Sequence, residues 1–145
     1  MPATGDRNDP FAAFNFLVEI DGVTVAGFSE CSGLSTESDV IEYRVGKEPA
    51  TVRKLPGLDK YANIVLKRGY TTAKELWAWR KTVIDGKTQR KSGSIVLLDE
   101  SRKEALRWNF REGWARKWDG PTFNAKTNEV AIEMMEIAHE GLALK

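Results

Sequence analysis

The sequence has very few of the residues on which catalytic and metal sites commonly depend. It contains one cysteine, Cys31, and one histidine, His139. A lone cysteine cannot form a disulfide within the chain, and this pair cannot supply the four nitrogen or sulfur ligands of a structural zinc site. A Ser-His-Asp or Cys-His arrangement would have to use His139, which has no nucleophile motif near it. We expect no catalytic, cofactor or metal site, with Cys31 a buried, inert thiol and His139 either solvated or in an interface.

Other ligand signatures are missing as well. The chain has no phosphate-binding Walker loop, no dinucleotide fingerprint and no calcium loop of spaced Asp, Asn and Gly. The adjacent acids Asp99 and Glu100 are poor candidates for a glycosidase pair, because neighbouring residues of a strand point to opposite faces. These absences predict a protein that is not an enzyme.

Long apolar runs and an excess of one charge are absent too. No stretch approaches the roughly 20 apolar residues of a membrane-spanning helix, and the first ten residues lack the apolar core of a signal peptide. We therefore expect folding in the cytoplasm, a flexible lead-in over residues 1–10 and a single domain over residues 11–145. The 22 basic and 21 acidic residues give a net charge of +1, which argues against a dedicated nucleic-acid binder.

What the sequence does contain is a series of short strand patterns. Apolar residues alternate with polar ones from Phe14 to Ile20, which predicts a strand with one buried face. Asp21-Gly22 predicts a tight hairpin turn into a partner strand over residues 23–28, with Gly27 as an interruption. Similar patterns predict strands within residues 40–45, 61–68, 95–98 and 106–118.

One helix is predicted after the strand pattern of residues 61–68. The run from Thr72 to Glu75 matches a capping box, apolar residues follow at helical spacing, and Gly86 is placed to end the helix. Residues 129–140 are ambiguous, because Ala, Glu and Met favour a helix whereas the alternation of Val130, Ile132 and Met134 favours a strand. The sum is a mainly β (α+β) fold, a small β-barrel or sandwich of about six to eight strands with one flanking α-helix.

The segment from Gly46 to Lys60 differs in character from the strands around it. It carries prolines, glycines and several charged residues, and proline cannot donate to a central strand ladder. We interpret it as an extended loop or an edge hairpin that projects from the body. The candidate contact residues of this segment are Gly46, Lys47, Glu48, Pro49, Arg53, Lys54, Leu55, Pro56 and Gly57.

Aromatic and basic residues are interleaved from Arg107 to Trp118, an arrangement that could stack on nucleic-acid bases or sugars. The regular alternation favours another interpretation, in which the even-numbered aromatics face the core while Arg107 and Arg111 face water or a partner. The basic turn from Lys87 to Lys91 is interpreted as a solvated turn, or alternatively as a contact for an acidic surface.

Several longer stretches occur in a distinctive order. They are DPF at 9–11, FNFLVEI at 14–20, VAGFSECSGL at 25–34, IEYRVG at 41–46, RKLPGL at 53–58, IVLKRGY at 64–70 and LWAW at 76–79. In these stretches the chain resembles the inner tube proteins of phage tails and of phage-tail-like contractile injection systems. The resemblance covers nearly the whole chain.

The resemblance implies a fold shared with the tube protein of type VI secretion, with a strand as its last segment. It implies hexameric rings in which strands of all subunits join around a lumen, and rings that stack into a tube. The implied partners are other copies of the chain, a sheath protein, baseplate and spike proteins, tube-terminating proteins, and a protein or DNA cargo in the lumen. The implied particle assembles in the bacterial cytoplasm and can be released from the cell.

Two alternatives remain open at this point. One is a ring protein secreted by a type VI-like system, which carries effectors. The other is a monomeric β-barrel that binds nucleic acid or glycan through the strand around Trp108.

Overall fold

The computed structural model describes residues 15–25, 27–44, 46 and 52–145. The lead-in expected over residues 1–10 and Phe14, the first residue of the first strand pattern, lie outside this part of the chain. The elements are β1 (Phe16–Ile20), β2 (Val23–Val25), β3 (Phe28–Ser32), β4 (Thr36–Tyr43), β5 (Arg53–Tyr61), β6 (Ile64–Gly69), α1 (Glu75–Ile84), β7 (Lys91–Leu98), β8 (Glu104–Asp119), β9 (Ile132–Ala138) and β10 (Gly141–Leu144).

The strands form one large antiparallel sheet and a separate hairpin. The large sheet has the order β2-β1-β7-β8-β9-β6-β3, with β10 beside β8, and among the described strands β4 pairs with β5 alone. The first half of β8 joins β7 and β10, whereas its second half joins β9. We call β2, β1, β7, β10 and the first half of β8 layer 1, and β3, β6, β9 and the second half of β8 layer 2.

The mainly β fold with one helix is confirmed, although the described residues form more strands than the six to eight expected. The turn at Asp21 and Gly22 is confirmed, with φ values of 53° and 76° that a tight two-residue hairpin requires. The partner strand expected over residues 23–28 is wrong in part. It ends at Val25, and β3 pairs with β6 instead of β1.

The core lies between the two layers and under α1. Strands β6 and β9 supply Ile64, Leu66, Met135 and Ile137, all with 0% exposure. The other core side chains are Val18, Ile20, Leu76, Trp79, Ile95, Phe110 and Ala115. Burying one large apolar side chain contributes about 1.5–3 kcal/mol, so this cluster dominates the stability of the fold.

The helix ends as expected but does not begin as expected. The predicted capping box is wrong, because α1 starts after Lys74 without a side-chain cap, and the Glu75 carboxylate binds Arg68 instead. At the other end, Gly86 has a φ of 75°, and Lys87 N–H donates to the Thr82 carbonyl at 2.8 Å. This bond closes a Schellman motif, in which a residue with positive φ satisfies the last free carbonyls of a helix.

Two long strands bury a different set of residues from the one that alternation suggests. In β8, Phe110 is buried, but Glu112 has a φ of 54° and the buried positions shift to Gly113 and Ala115. The single parity expected through Trp118 is therefore wrong at Trp114, but a second irregularity between Ala115 and Lys117 returns Trp118 to the core side, as expected. The last segment is a strand, β9, yet it buries Glu133, Met135 and Ile137 and leaves Ile132 46% exposed.

Candidate assembly surfaces

The β4–β5 hairpin carries a large exposed apolar surface. Thr36 is opposite Tyr61 at its base and Tyr43 is opposite Arg53 at its far end. Leu58 is 75% exposed, Val40 61% and Ile41 52%. Neighbouring strand residues face opposite sides, so Val40 and Ile41 leave apolar groups on both faces of the hairpin. A two-stranded hairpin is marginally stable alone in water, and exposed apolar patches mark interaction sites.

Six of the nine predicted contact residues lie on this hairpin or next to it. Gly46 follows β4, whereas Arg53, Lys54, Leu55, Pro56 and Gly57 form the first part of β5. Lys47, Glu48 and Pro49 lie outside the described residues. Pro56 is opposite Val40, beside a bulge that interrupts the ladder, which is how a strand accommodates proline. The segment is thus a hairpin, and its role as a contact remains a prediction.

His139 lies at the base of this hairpin. Its Nε2 is 3.0 Å from the Ala62 carbonyl oxygen and its Nδ1 is 3.2 Å from the Gly141 carbonyl oxygen. The ring packs between Tyr61 and Phe110, with centroids 5.8 and 6.0 Å away. His139 is therefore partly buried against its own chain and not fully solvated, and its alternative position in an interface remains a prediction. It ties the turn after β5 to the turn before β10.

Layer 2 ends in two strand edges that have no partner within the described residues. One is the side of β3 that faces away from β6. The other is the second half of β8, which pairs with β9 on one side, while β7 reaches only Gly113 on the other. At the start of that edge, Arg80 of α1 donates to the Ala115 carbonyl at 3.1 Å. Unpaired edges of this kind are templates for pairing with another chain.

A buried ionic cluster holds layer 2 to α1. Arg68 Nε donates to Glu133 Oε1 at 2.5 Å, Trp118 Nε1 donates to Glu133 Oε2 at 3.0 Å, and Arg68 Nη1 binds Glu75. Arg68 and Glu133 are 4% and 2% exposed. The hydrogen bond from Arg68 lowers the pKa of the Glu75 carboxyl. The sequence signal for this cluster is a charged residue at a core-facing position of each strand, because Arg68 has the parity of the buried residues of β6 and Glu133 has that of β9.

The aromatic and basic residues of β8 are divided as alternation suggests in its first half. Trp108 packs against the core and Phe110 is buried within it. Arg107 faces the other way and is 2.6 Å from carboxylate oxygens of both Glu19 and Glu104. Because this guanidinium is already engaged by two acids, the structure does not favour a nucleic-acid or glycan site here.

The remaining candidate residues have local structural roles. Asp99 Oδ1 accepts bonds from the N–H groups of Ser101 and Lys103 at 2.8 and 2.9 Å, so its carboxylate organises a turn. Lys91, the last residue of the predicted basic turn, is the first residue of β7, and its Nζ lies 5.6 Å from the ring centroid of Trp79. Cys31 packs against the core, and burial raises the pKa of its thiol to about 12.

The described residues contain no group of three or more His, Cys, Asp and Glu side chains arranged to hold a metal ion. None of their helices is long and apolar enough to cross a membrane.

Two unpaired edges in layer 2 and an uncovered β4–β5 hairpin are typical of a subunit that assembles with other chains. Comparison with known proteins identifies the family. The model of the T4-like virus tail tube protein gp19 family matches residues 12–143. The chain therefore belongs to the tail tube family, as its resemblance implied. A comparison with curated proteins gave no match.

Solved structures agree with this assignment. A chain of the anti-feeding prophage tube-terminating cap has a TM-score of 0.86 and 25% identity, over 100% of this chain and 99% of that chain. A chain of the PVC extracellular contractile injection system, in its extended sheath/tube terminator, has a TM-score of 0.86 and 25% identity, over 95% and 98%. Hcp1 from Flavobacterium johnsoniae shares the fold, with a TM-score of 0.57 and 16% identity over 90% and 94%. The chain is thus a tail tube-like protein similar to those of contractile injection systems.

Proposed function

We propose that the chain is the structural subunit of the inner tube of a contractile phage-tail-like injection system, and that it is not an enzyme. Six copies form a ring, rings stack into a tube, and the tube works with a sheath, a baseplate with its spike, and a terminating cap. The observation that carries the proposal is the pair of unpaired edges at opposite ends of layer 2, in a chain of the tail tube family.

The strand directions allow these edges to join. Each neighbouring pair in layer 2 is antiparallel, so β3 and β8 run in opposite directions. Copies related by rotation about an axis along the strands keep these directions, and β3 of one copy then meets β8 of the next in an antiparallel pair. Such a head-to-tail contact closes into a ring and removes both edges.

The size of the resulting barrel suits a conduit. Four strands from each of six copies give about 24 strands, and a spacing of about 4.8 Å gives a circumference of roughly 115 Å. The backbone diameter is then about 37 Å before strand tilt widens it. Barrels of 16–18 strands already hold an aqueous channel, so this ring would enclose a lumen wide enough for a macromolecule.

The hairpin is the candidate for contact between rings or subunits. Its apolar residues have no cover within the described chain, and it projects from the sheet that forms the ring. A neighbouring copy would cover both its faces and order it. The described members of the contact set, Gly46 and residues 53–57, lie towards the end of the hairpin that is farthest from layer 2.

Cysteine cross-linking tests ring closure directly. In a Cys31→Ser background, Ser32→Cys on β3 is combined in turn with Arg116→Cys, Lys117→Cys and Asp119→Cys on β8, which samples the possible registers. Paired strand positions bring Cα atoms to disulfide distance. We expect at least one pair to give an oxidised ladder of up to six subunits in a denaturing gel.

The matched control combines Ser32→Cys with Thr24→Cys on β2, an edge of layer 1, and should give no ladder. Electron micrographs of the unmodified protein should show rings and tubes. A monomer at all concentrations, without rings, would overturn the proposal. Rings that never stack would favour the secreted ring protein.

The hairpin is tested by deleting residues 47–55 and, more mildly, by Leu58→Asp. Val23→Asp is the control, since Val23 is also an exposed apolar residue, at 65%, but lies on β2. We expect both hairpin variants to fold without forming long tubes, whereas the control still does. Normal tubes from the deletion variant would exclude the hairpin as a stacking contact.

A further inference from the structure

The β4–β5 hairpin is attached to the rest of the chain by two short connections, one before β4 and one after β5. The two connections contact each other. Ala62 N–H donates to the Ser35 carbonyl at 3.2 Å, and a Cβ added to Gly33 would lie 1.9 Å from the Asn63 carbonyl oxygen. Because β4 pairs with β5 alone among the described strands, contacts at these connections limit how far the hairpin can rotate against the two layers.

His139 fixes one of these connections to layer 1. Its Nε2 is 3.0 Å from the carbonyl oxygen of Ala62, in the connection after β5. Its Nδ1 is 3.2 Å from the carbonyl oxygen of Gly141, the first residue of β10. The ring also packs between Tyr61 of the hairpin and Phe110 of β8. One side chain therefore bridges the base of the hairpin and two strands of layer 1.

Both ring nitrogens of His139 face carbonyl oxygens, which can only accept hydrogen bonds. A neutral imidazole carries one N–H group, so it can donate to one carbonyl while the lone pair of its other nitrogen faces the second. An imidazolium carries two N–H groups and can donate to both, and hydrogen bonds from a charged donor are stronger. We propose that His139 is a pH-sensitive clamp, which holds the base of the hairpin most firmly when its imidazole is protonated.

His139 is the only histidine of the chain, and histidine is the side chain that ordinarily changes its charge between about pH 5 and 8. The other charged or titratable groups on the adjoining described segments are carboxylates, a phenol, an ammonium and guanidinium groups. They are Lys60 and Tyr61 on β5, Arg111 and Glu112 on β8, Glu136 on β9, and Glu140 with its partner Arg90. Carboxyl groups ordinarily titrate below about pH 5 and the other groups above about pH 9. A change between about pH 5.5 and 7.5 is therefore assigned to His139.

In the proposed tube, the clamp makes the contact of the hairpin with a neighbouring copy depend on pH. A hairpin that is already held at one angle loses less conformational freedom when it packs against another chain, so it associates more readily. Mild acid should therefore favour tube assembly, and the effect should fade as the pH rises. Only this consequence rests on the proposed function, because the clamp itself is a property of the single subunit.

Hydrogen exchange followed by mass spectrometry tests the clamp in unassembled subunits. Leu58→Asp, which should not form long tubes, is compared with Leu58→Asp/His139→Gln at about pH 5.5 and 7.5, with correction for the intrinsic effect of pH on exchange. With His139 present, we expect peptides that cover residues 33–38 and 59–64 to be about two- to tenfold better protected at the lower pH, as one added hydrogen bond implies. Peptides from β7 should show no such change.

Glutamine is polar but does not change its charge, so the His139→Gln protein should lose the pH dependence. Glu140→Gln in the same background removes the adjacent acid and should keep it. The inference is overturned by equal protection at the two pH values with His139 present, by weaker protection at the lower pH, or by the same dependence in the His139→Gln protein.

A second measurement needs no substitution and covers the case in which a variant fails to fold. Nitrogen-15 chemical shifts of the imidazole, recorded on the unsubstituted protein by solid-state NMR if it assembles, report the protonation of Nδ1 and Nε2 separately. We expect both nitrogens to carry a proton at about pH 5.5 and one of them to lose it by about pH 7.5. A ring whose charge did not change in this range would contradict the clamp.

Sedimentation of tubes separates the clamp from the proposed function. The unsubstituted protein should yield more tubes at the lower pH, and His139→Gln should remove this difference. Absence of rings and tubes at both pH values would overturn the proposed function and leave the clamp to be decided by hydrogen exchange. Equal tube yields at the two pH values, with pH-dependent protection of the hairpin base, would overturn only the effect on assembly.

Discussion

Removing the Glu133 carboxylate should destabilise the subunit far more than removing its neighbour in the same cluster. Glu133→Ala leaves Arg68, which is 4% exposed, without its buried partner and also deprives the Trp118 indole of its acceptor. Breaking a buried ion pair by removing one partner costs about 3–5 kcal/mol, because the remaining charge stays out of water. For a chain of this length the melting temperature should fall by roughly 10 °C.

Glu75→Gln is the matched control, because Glu75 binds the same guanidinium but its side chain is 46% exposed. Solvent screens such a pair, so we expect a loss of about 0–1 kcal/mol. The assay is urea unfolding followed by tryptophan fluorescence, at one fixed protein concentration so that assembly contributes equally. The double variant Arg68→Met/Glu133→Leu should recover most of the loss, since it leaves no unpaired charge. If Glu133→Ala cost no more than Glu75→Gln, the argument from burial would be refuted.

Three further predictions concern other parts of the fold. Gly93→Ala should cost at least about 2 kcal/mol in urea unfolding, because its Cβ would lie 2.5 Å from Phe110 Cζ and 2.5 Å from the Glu19 carbonyl, whereas Gly46→Ala, with nothing within 4 Å, should cost almost nothing. The Cys31 thiol, with its pKa raised to about 12, should react with a thiol reagent at pH 8 only after urea unfolding; fast labelling of the native protein would contradict this. The lowered pKa of Glu75 means that its contribution is present above its usual value of 4.5 and is lost as pH falls below it, so wild type and Glu75→Gln should differ in stability at pH 7 and converge in acid; a difference that persisted at low pH would exclude the ion pair as its cause.

Local signals in the sequence were sufficient for features that depend on neighbouring residues alone. The turn at Asp21 and Gly22, the end of α1 at Gly86 and the strand character of β1, β7 and β8 each follow from a short pattern of backbone preference or alternation. The uncovered hairpin was foreseen as a projecting segment because Pro56 and its neighbours do not suit a central strand.

Features decided by distant residues could not be read in the same way. The Glu75 carboxylate binds Arg68 and not the start of its own helix. An unpaired buried guanidinium costs more free energy than an uncapped N–H group at a helix end. The same guanidinium draws Glu133 into the core, which turns Ile132 outward and reverses the face that alternation suggests for β9. The shift at Glu112 in β8 likewise depends on a bulge that allows one strand to serve both layers.

The strand that the two layers share, β8, makes unfolding of the subunit cooperative. Because β8 pairs with β7 and β10 in one half and with β9 in the other, neither layer can come apart without loosening the strand on which the other depends. A subunit with one folded and one unfolded layer is therefore unstable, and unfolding of one layer destabilises the other. In the tube that we propose, a copy that had lost layer 2 would also lack the two edges through which we propose that it joins a ring.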